Sequence, residues 1–351
     1  MQAIRMALIL AALAALTIAL MGCERTITHV ETTQEPTNCF TCHSDANTIL
    51  VDAEQQWNNS RHASGSTLNE NDSSCKGCHT SEGFIARATG VTPPDVIENP
   101  TAIHCFTCHA PHTNSDFRLR WNTNATLMDG TVFNLNSGNL CVACHQARRN
   151  VDVYVTPRVN LNSRWGPHHG VQGDMLLGSN GYEFAGYAYN RTAHRDATTA
   201  DGKDGCLECH FRATSQYVVG GHTFNMRGTA LGEEVLNVGA CEPCHGPTND
   251  FSDIGPGYSV QDSVDALVVD LRARLVAAGL VDATSGLPRS TSTSQDSAGA
   301  VWNYLIAGVE DRSRGVHNAQ YIIGLLHSSI QYIQTPAPLA TRLRGFRTAR
   351  D

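Results

Sequence analysis

Aromatic side chains are scarce in this sequence, since only 7% of its 351 residues are Phe, Trp or Tyr. Asn, Thr, Ser and Gly fill the segments between its cysteines, so few of these segments can bury a sizeable hydrophobic core alone. A positive net charge is also missing. The formal charge is −8, which argues against a nucleic-acid partner and is compatible with basic redox partners or metal cations.

No apolar run reaches the length of a membrane-spanning helix. The run at residues 6–21 is 16 residues long, whereas a spanning helix needs about 20. It follows Arg5 and ends just before Cys23, which is typical of a secretory signal. An uncleaved transmembrane anchor is therefore the weaker alternative.

The end of this run, Leu-Met-Gly-Cys, resembles the bacterial lipobox. That resemblance implies a signal peptide at 1–22, cleavage before Cys23 and a lipid on the Cys23 thiol. Glu24, rather than Asp, follows the cysteine, and by the best-known bacterial sorting pattern this favours the outer membrane. Residues 23–38 are rich in Thr and Glu and lack periodicity, so we expect them to form a flexible tether.

The other twelve of the thirteen cysteines occur in six copies of Cys-x-x-Cys-His. The copies are Cys39/Cys42/His43, Cys75/Cys78/His79, Cys105/Cys108/His109, Cys141/Cys144/His145, Cys206/Cys209/His210 and Cys241/Cys244/His245. Two thiols at this spacing can each add to a vinyl group of one porphyrin, while the adjacent histidine ligates its iron. A structural zinc site would need four protein ligands per metal, and thioredoxin-type motifs do not require the histidine. The sequence therefore predicts six covalently attached c-type haems, which supply the missing apolar surface.

The motifs divide the chain into unequal steps of 30 to 65 residues. Such short units cannot fold alone, so we expect one continuous haem-cored body, mainly α with extensive loops, over 39–255. Residues 256–351 are expected to form a C-terminal helical domain that packs on the haem region.

Three apolar stripes at helical spacing support that C-terminal domain. They comprise Val264, Leu267, Val268, Leu271 and Leu275; then Ala300, Val301, Tyr304 and Leu305; and finally Leu325, Leu326, Ile330 and Ile333. Gly279 provides a stop for the first helix, and the last is expected to run from near Asn318 to just before Pro336. The Ser/Thr-rich residues 284–297 are expected to form a loop. Ordinary packing explains these stripes better than a cofactor role.

The second axial ligand of each haem decides between electron transfer and catalysis. Only Met128, Met175 and Met226 remain after signal removal, so at most three haems can have His/Met ligation. Ten histidines lie outside the motifs: His29, His62, His104, His112, His168, His169, His194, His222, His317 and His327. This surplus makes bis-histidine ligation the leading hypothesis, with lower potentials than methionine ligation gives.

Five segments resemble elements of bacterial multihaem cytochromes c. Residues 57–62 are similar to their Trp-x-x-Ser-x-His element. Three further segments carry candidate distal histidines: 105–112 (CFTCHAPH), 166–170 (GPHHG) and 220–224 (GGHTF). Residues 311–318 read DRSRGVHN and resemble the entry to the last helix in nitrite-reductase-related members. The resemblance implies distal ligands at His62, His112, His168, His222 and His317. We expect His194 to be the sixth, because it lies twelve residues before Cys206, much as His62 lies thirteen before Cys75. His104 competes with His112 and His169 with His168, whereas His29 and His327 are better explained as ordinary residues.

The resemblance implies a hexahaem electron-transfer lipoprotein in extracytoplasmic anaerobic respiration, with redox proteins, including other multihaem cytochromes, as partners. One alternative is a reductase of nitrogen oxyanions or hydroxylamine with one open haem. Relatives of that kind typically carry a catalytic Cys-x-x-Cys-Lys motif, whereas every motif here ends in His. Another alternative is a subunit of a cytochrome filament, against which the lipid anchor argues. No catalytic residue is predicted.

Overall fold

Short helices carry the Cys-x-x-Cys-His motifs in the computed structural model of the chain. The structure describes residues 39, 47–65, 68–72, 74–114, 117–192, 194–195, 203–254 and 259–334, all within the unit Thr37–Asp351. The predicted signal peptide, tether and lipid-bearing Cys23, together with His29, Cys42 and His43, lie outside the described residues.

The described helices before residue 255 are mostly one or two turns long. They are α1 (Thr48–Asn58), α2 (Lys76–His79), α3 (Ser81–Thr89), α4 (Cys105–Cys108), α5 (Pro111–Asn114), α6 (Gly138–Val142), α7 (Val151–Tyr154), α8 (Gln172–Leu177), α9 (Leu207–His210) and α10 (Glu242–His245). At the start of several of these helices, a side chain accepts a hydrogen bond from a backbone N–H of the first turn. For example, Asn47 accepts a hydrogen bond from the Leu50 N–H at the start of α1, and Thr80 accepts one from the Gly83 N–H at the start of α3. The predicted character of this region, mainly α with extensive loops, is confirmed.

Three two-stranded antiparallel sheets were not predicted. They pair β1 (Ala125–Thr126) with β2 (Val132–Phe133), β3 (Arg158–Leu161) with β6 (Thr291–Ser294), and β4 (Arg227–Ala230) with β5 (Glu233–Leu236). The sheet of β3 and β6 joins the middle of the chain to its C-terminal part, with Val159 opposite Thr293.

The C-terminal helices are longer. They are α11 (Val260–Ala277), α12 (Gln295–Asn303), a π-helix (Tyr304–Glu310) and α13 (Ala319–Gln334). Ser259 caps α11 by accepting the Asp262 N–H, and Gly279, at φ +73°, follows its end. The three predicted helical stripes are therefore confirmed.

The prediction of a loop over 284–297 was wrong at its C-terminal end. Residues 291–294 form β6, because the backbone of β3 pairs with a polar segment whose Thr side chains suit a strand. Ser294 then caps α12 by accepting the Ser297 N–H. Composition alone marked this segment as a loop, but its distant partner makes it a strand.

A hydrophobic core joins the C-terminal helices to residues 147–184. Trp302, Tyr321 and Leu325 are fully buried there, together with Met175 on α8. Trp302 also donates its indole N–H to the Asn180 carbonyl at 2.8 Å. Among the described residues, no helix is both long and apolar enough to cross a bilayer.

Candidate haem-binding cavity

Each described motif folds into the same turn. The histidine N–H donates to the carbonyl of the first cysteine four residues earlier in the motifs at Cys75, Cys105, Cys141, Cys206 and Cys241, at 2.9–3.2 Å. Residues three and four apart lie on one side of a helical turn. Both thiols and the imidazole of a motif therefore lie on the same side of their turn.

These turns line one large cavity of about 3290 Å³. Cysteines of all six motifs reach its wall, as do the histidines of the five motifs whose turns are described. Shared among six groups, this volume gives roughly 550 Å³ for each, within the range of about 300–1,000 Å³ of single small-molecule sites. The cavity is therefore large enough for several cofactors, and the motifs surround it.

Five motif histidines each face a predicted distal histidine across this cavity. The pairs and the distances between their ring centres are His79 and His168 at 6.5 Å, His109 and His222 at 6.4 Å, His145 and His62 at 6.2 Å, His210 and His317 at 6.3 Å, and His245 and His194 at 5.9 Å. Two imidazoles on opposite sides of one metal ion, at metal–nitrogen distances of about 2.0–2.1 Å, have ring centres roughly 6.3 Å apart. The spacing in all five pairs fits one iron between the rings.

Hydrogen bonds orient many of these rings through Nδ1. His109, His210 and His194 point Nδ1 at the backbone carbonyls of Phe117, Phe224 and Val316, at 2.6, 2.8 and 2.5 Å. A carbonyl only accepts, so Nδ1 carries the proton and Nε2 keeps its lone pair for a metal. Such bonds to the outer nitrogen are the usual support of a metal-ligating histidine.

Side chains orient two more rings. Nδ1 of His145 is 3.0 Å from Gln172 Oε1, and Nδ1 of His317 is 2.6 Å from Asp311 Oδ1. The Gln172 amide is itself fixed, because its Nε2 donates to the carbonyl of Glu310 at 3.0 Å. Sequence analysis did not identify Gln172 as part of the site, whereas Asp311 had a signal in the segment at 311–318.

Burial keeps several of these imidazoles neutral. It lowers the pKa of His62, His210 and His222 to about 4 in each case, with His145 and His109 adding to the effect at His62 and His222. Neutral imidazole is the form that ligates metals. His317 differs: burial acts to lower its pKa, but the Asp311 carboxylate outweighs burial and the pKa is raised.

Thiols of different motifs meet in pairs, which shows which motifs are neighbours. Hydrogen bonds join Cys39 to Cys105, Cys78 to Cys144, and Cys141 to Cys206. The motifs that begin at Cys75 and Cys206 therefore both adjoin the motif that begins at Cys141.

Two further contacts extend this set of neighbours. Burial raises the pKa of Cys209 to about 11, and the nearby thiol of Cys241 adds to this shift. The motifs that begin at Cys206 and Cys241 are therefore neighbours. Phe224 lies with its ring 5.6 Å from that of His62 and 6.2 Å from that of His222. The motif that begins at Cys141, whose His145 pairs with His62, therefore adjoins three other motifs, which begin at Cys75, Cys105 and Cys206.

Arginines lie against the same cysteines. Arg148 donates through Nη2 to Cys78 Sγ at 2.7 Å and to the Cys144 carbonyl at 3.2 Å, which ties two motifs together. Arg87 donates to the Ala143 carbonyl at 2.7 Å. The hydrogen bond from Cys144, followed by these two cations, lowers the pKa of Cys78 to about 6 against the opposing effect of burial.

The competing histidines lie in other environments. His104 is buried and caps α4, with its Nδ1 accepting the Phe106 N–H at 3.3 Å. His169 places its Nδ1 2.6 Å from Glu310 Oε2. His112 lies on α5 with its ring 5.6 Å from that of Phe106, and it faces none of the five described motif histidines. His327 is exposed on α13.

Within the described part of the chain, no three His, Cys, Asp or Glu residues are grouped to hold a bare metal ion. The five described motifs instead offer two thiols and one imidazole each, with a second imidazole opposite. No known protein family matches the chain, and neither the curated proteins nor the solved structures contain a match.

Proposed function

We propose that this chain is an electron-transfer protein that carries six covalently attached c-type haems with histidine on both faces. The observation that carries the proposal is the spacing of the five histidine pairs, at 5.9–6.5 Å between ring centres. This spacing matches the separation of roughly 6.3 Å expected for two imidazoles that ligate one metal ion from opposite sides.

The residues that would hold the haems follow from the motifs and the pairs. Thioether bonds would form at Cys39, Cys42, Cys75, Cys78, Cys105, Cys108, Cys141, Cys144, Cys206, Cys209, Cys241 and Cys244. The motif histidines would be the proximal ligands. The distal ligands would be His168 for the motif at Cys75, His222 for Cys105, His62 for Cys141, His317 for Cys206 and His194 for Cys241. His112 is the one predicted distal histidine left after these assignments, so we assign it to the haem of the first motif, at His43.

Haem supplies one-electron chemistry at its iron, and the protein sets ligation, orientation and electrostatics. While imidazoles are bound on both sides, no coordination position would be open to a substrate. The Nδ1 hydrogen bonds of His109, His210 and His194 fix the tautomer that presents Nε2 to the metal. The carboxylate of Asp311 makes the His317 imidazole a stronger donor, which is expected to stabilise ferric iron at that site.

The contacts between motifs support a branched path for electrons. The motif at Cys141 adjoins the motifs at Cys75 and Cys206 through its thiols, and the motif at Cys105 through Phe224. The motifs at Cys39 and Cys241 continue two of these branches. The branches end at the motifs of Cys39, Cys75 and Cys241, where redox partner proteins, including other multihaem cytochromes, would dock.

The proposed location rests on the N-terminal sequence alone. An exported lipoprotein, held at the outer membrane through Cys23, suits covalent haem, because bacteria attach it outside the cytoplasm. Anaerobic respiration is the proposed setting.

A haem count on the purified protein tests the proposal. The pyridine haemochrome assay with the intact mass should give six haems per chain, and a redox titration should give six one-electron equivalents. The double variant C206S/C209S should keep five haems. The matched control C23S removes the proposed lipid and should keep six. Bound zinc, or a count that stays below six in the native protein, would overturn the proposal.

A further inference from the structure

One of the five histidine pairs lacks the hydrogen bonds that orient the others. In each of the other four, at least one ring points Nδ1 at an oxygen: His109, His145, His194, and both His210 and His317. Neither His79 nor His168 does so toward any oxygen of the described residues. Instead, Nδ1 of His168 accepts the backbone N–H of His169 at 2.6 Å.

This bond places the His168 proton on the wrong nitrogen for ligation. A neutral imidazole has one N–H, so a ring whose Nδ1 accepts a hydrogen bond carries its proton on Nε2. Nε2 then has no lone pair to offer a metal. His168 can ligate iron only after its ring turns or the peptide that follows it moves, whereas the rings of His109 and His210 are already in the ligating form.

The backbone of His168 is also held in an uncommon conformation. Its φ is +72°, in the left-handed region that non-glycine residues rarely adopt. Such a conformation is strained and persists only where its surroundings enforce it. Gly170, at φ +86°, lies two residues further along, and the Pro167 carbonyl accepts the Arg148 N–H at 2.8 Å. The peptide between 168 and 169 therefore lies in a short loop with fixed ends and a strained centre.

The surroundings leave room for another ligand. His168 and His169 are both exposed, and Glu310 holds the His169 ring aside at 2.6 Å. On the His168 side, the positive charge of Arg148, which donates to Cys78 Sγ at 2.7 Å, acts more strongly than the Glu310 carboxylate, whereas at His79 the Glu70 carboxylate acts more strongly than Arg148. Positive charge at an open metal site favours small anionic ligands.

We propose that the haem at Cys75, Cys78 and His79 is a ligand-exchange site, where His168 leaves the iron and a small inorganic ligand binds. This inference rests on the proposed function, because it requires the haem. In the exchange the bond from iron to His168 Nε2 breaks and a bond from iron to the new ligand forms, with no electron transferred. Cyanide is a suitable probe of the ferric protein: HCN releases its proton to solvent as the iron–carbon bond forms. Carbon monoxide, which involves no proton, probes the ferrous protein.

Counting ligand equivalents tests the proposal on the six-haem protein. The native protein should bind one cyanide per chain when ferric and one carbon monoxide when ferrous, measured by absorbance and by loss of the matching low-spin EPR signal. The variant H168A should still bind one, with a high-spin signal before cyanide is added. The matched control H222A removes a distal ligand whose proximal partner is oriented by Phe117, and it should bind two.

Three outcomes would contradict the inference. If the native protein has six haems and binds no ligand, the proposed function stands and the ligand-exchange site is refuted. Two equivalents in H168A would place the native exchange site at another haem. One equivalent in H222A would place it at the His109 haem. If H168A does not retain six haems, a native count of zero still contradicts the inference, and one equivalent in H222A still moves the site to the His109 haem. A haem count other than six in the native protein would instead refute the proposed function.

Discussion

The C-terminal helices and the motif-bearing segments are held together by different means. Residues 147–184 and 260–334 share a hydrophobic core with fully buried Trp302, Tyr321 and Leu325. Between residues 203 and 254, by contrast, the only buried hydrophobic side chain is Val219, and two motifs line the large cavity. The first region can fold on its own side chains, and the second depends on what fills the cavity.

Withholding haem should produce the largest difference between these two regions. In protein produced without haem attachment, we expect amide protection to be lost over 203–254 and retained over α11, α12 and α13, because only the latter have a packed core. Hydrogen exchange measured by mass spectrometry would show this. Equal loss of protection in both regions would mean that the C-terminal core also depends on haem.

Truncation of the core should give the next largest effect. Trp302 is fully buried, and its ring lies 5.9 Å from that of Trp165, so W302A should destabilise the C-terminal region by about 3–5 kcal/mol. Guanidinium denaturation followed by far-UV circular dichroism would measure the loss. The control V269A, at a side chain 68% exposed on α11, should change stability by less than about 0.5 kcal/mol. Similar losses in both variants would contradict the core described above.

The same contrast explains what could be predicted from the sequence. The motifs and helical stripes are local patterns, so the thiol spacing and the C-terminal helices could be read directly. The pairing of His62 with His145, and of His194 with His245, could not be predicted, because each distal histidine bypasses the next motif along the chain. Strand β6 was missed for the same reason, since its partner β3 lies far away in sequence.

Removal of one carboxylate should produce a smaller effect, confined to a single haem. Asp311 is buried 2.6 Å from His317 Nδ1, so D311N should raise the reduction potential of the haem proposed between His210 and His317 by tens of millivolts. For one electron, 59 mV corresponds to about 1.4 kcal/mol. Spectroelectrochemical titration would resolve the shift. The control D282N, at an exposed turn, should leave every potential within a few millivolts, and an equal shift there would rule out a specific role for Asp311.

The smallest effect is expected at the turn between β4 and β5. Leu231 is fully exposed at φ +54°, beside Gly232 at φ +86°, in a two-residue hairpin turn that favours Asn-Gly. Replacement by Asn, which tolerates this conformation, should slow the exchange of the Val235 amide by the equivalent of about 0.5–1 kcal/mol. L231A keeps the Cβ and should bring no gain. If L231A slows exchange of the Val235 amide as much as L231N does, the exposed leucine side chain, rather than the backbone conformation at residue 231, destabilises the turn.

The π-helix at Tyr304–Glu310 ends with the carboxylate of Glu310 and is followed directly by that of Asp311, and these two carboxylates contact different histidines. A π-turn holds one more residue than an α-turn, and each residue of an α-helix advances the chain by about 100°. Loss of a single codon between Tyr304 and Ala307 would therefore swing both carboxylates away from His169 and His317. Such a deletion would alter two sites in one genetic step while every ligand residue stayed in the gene.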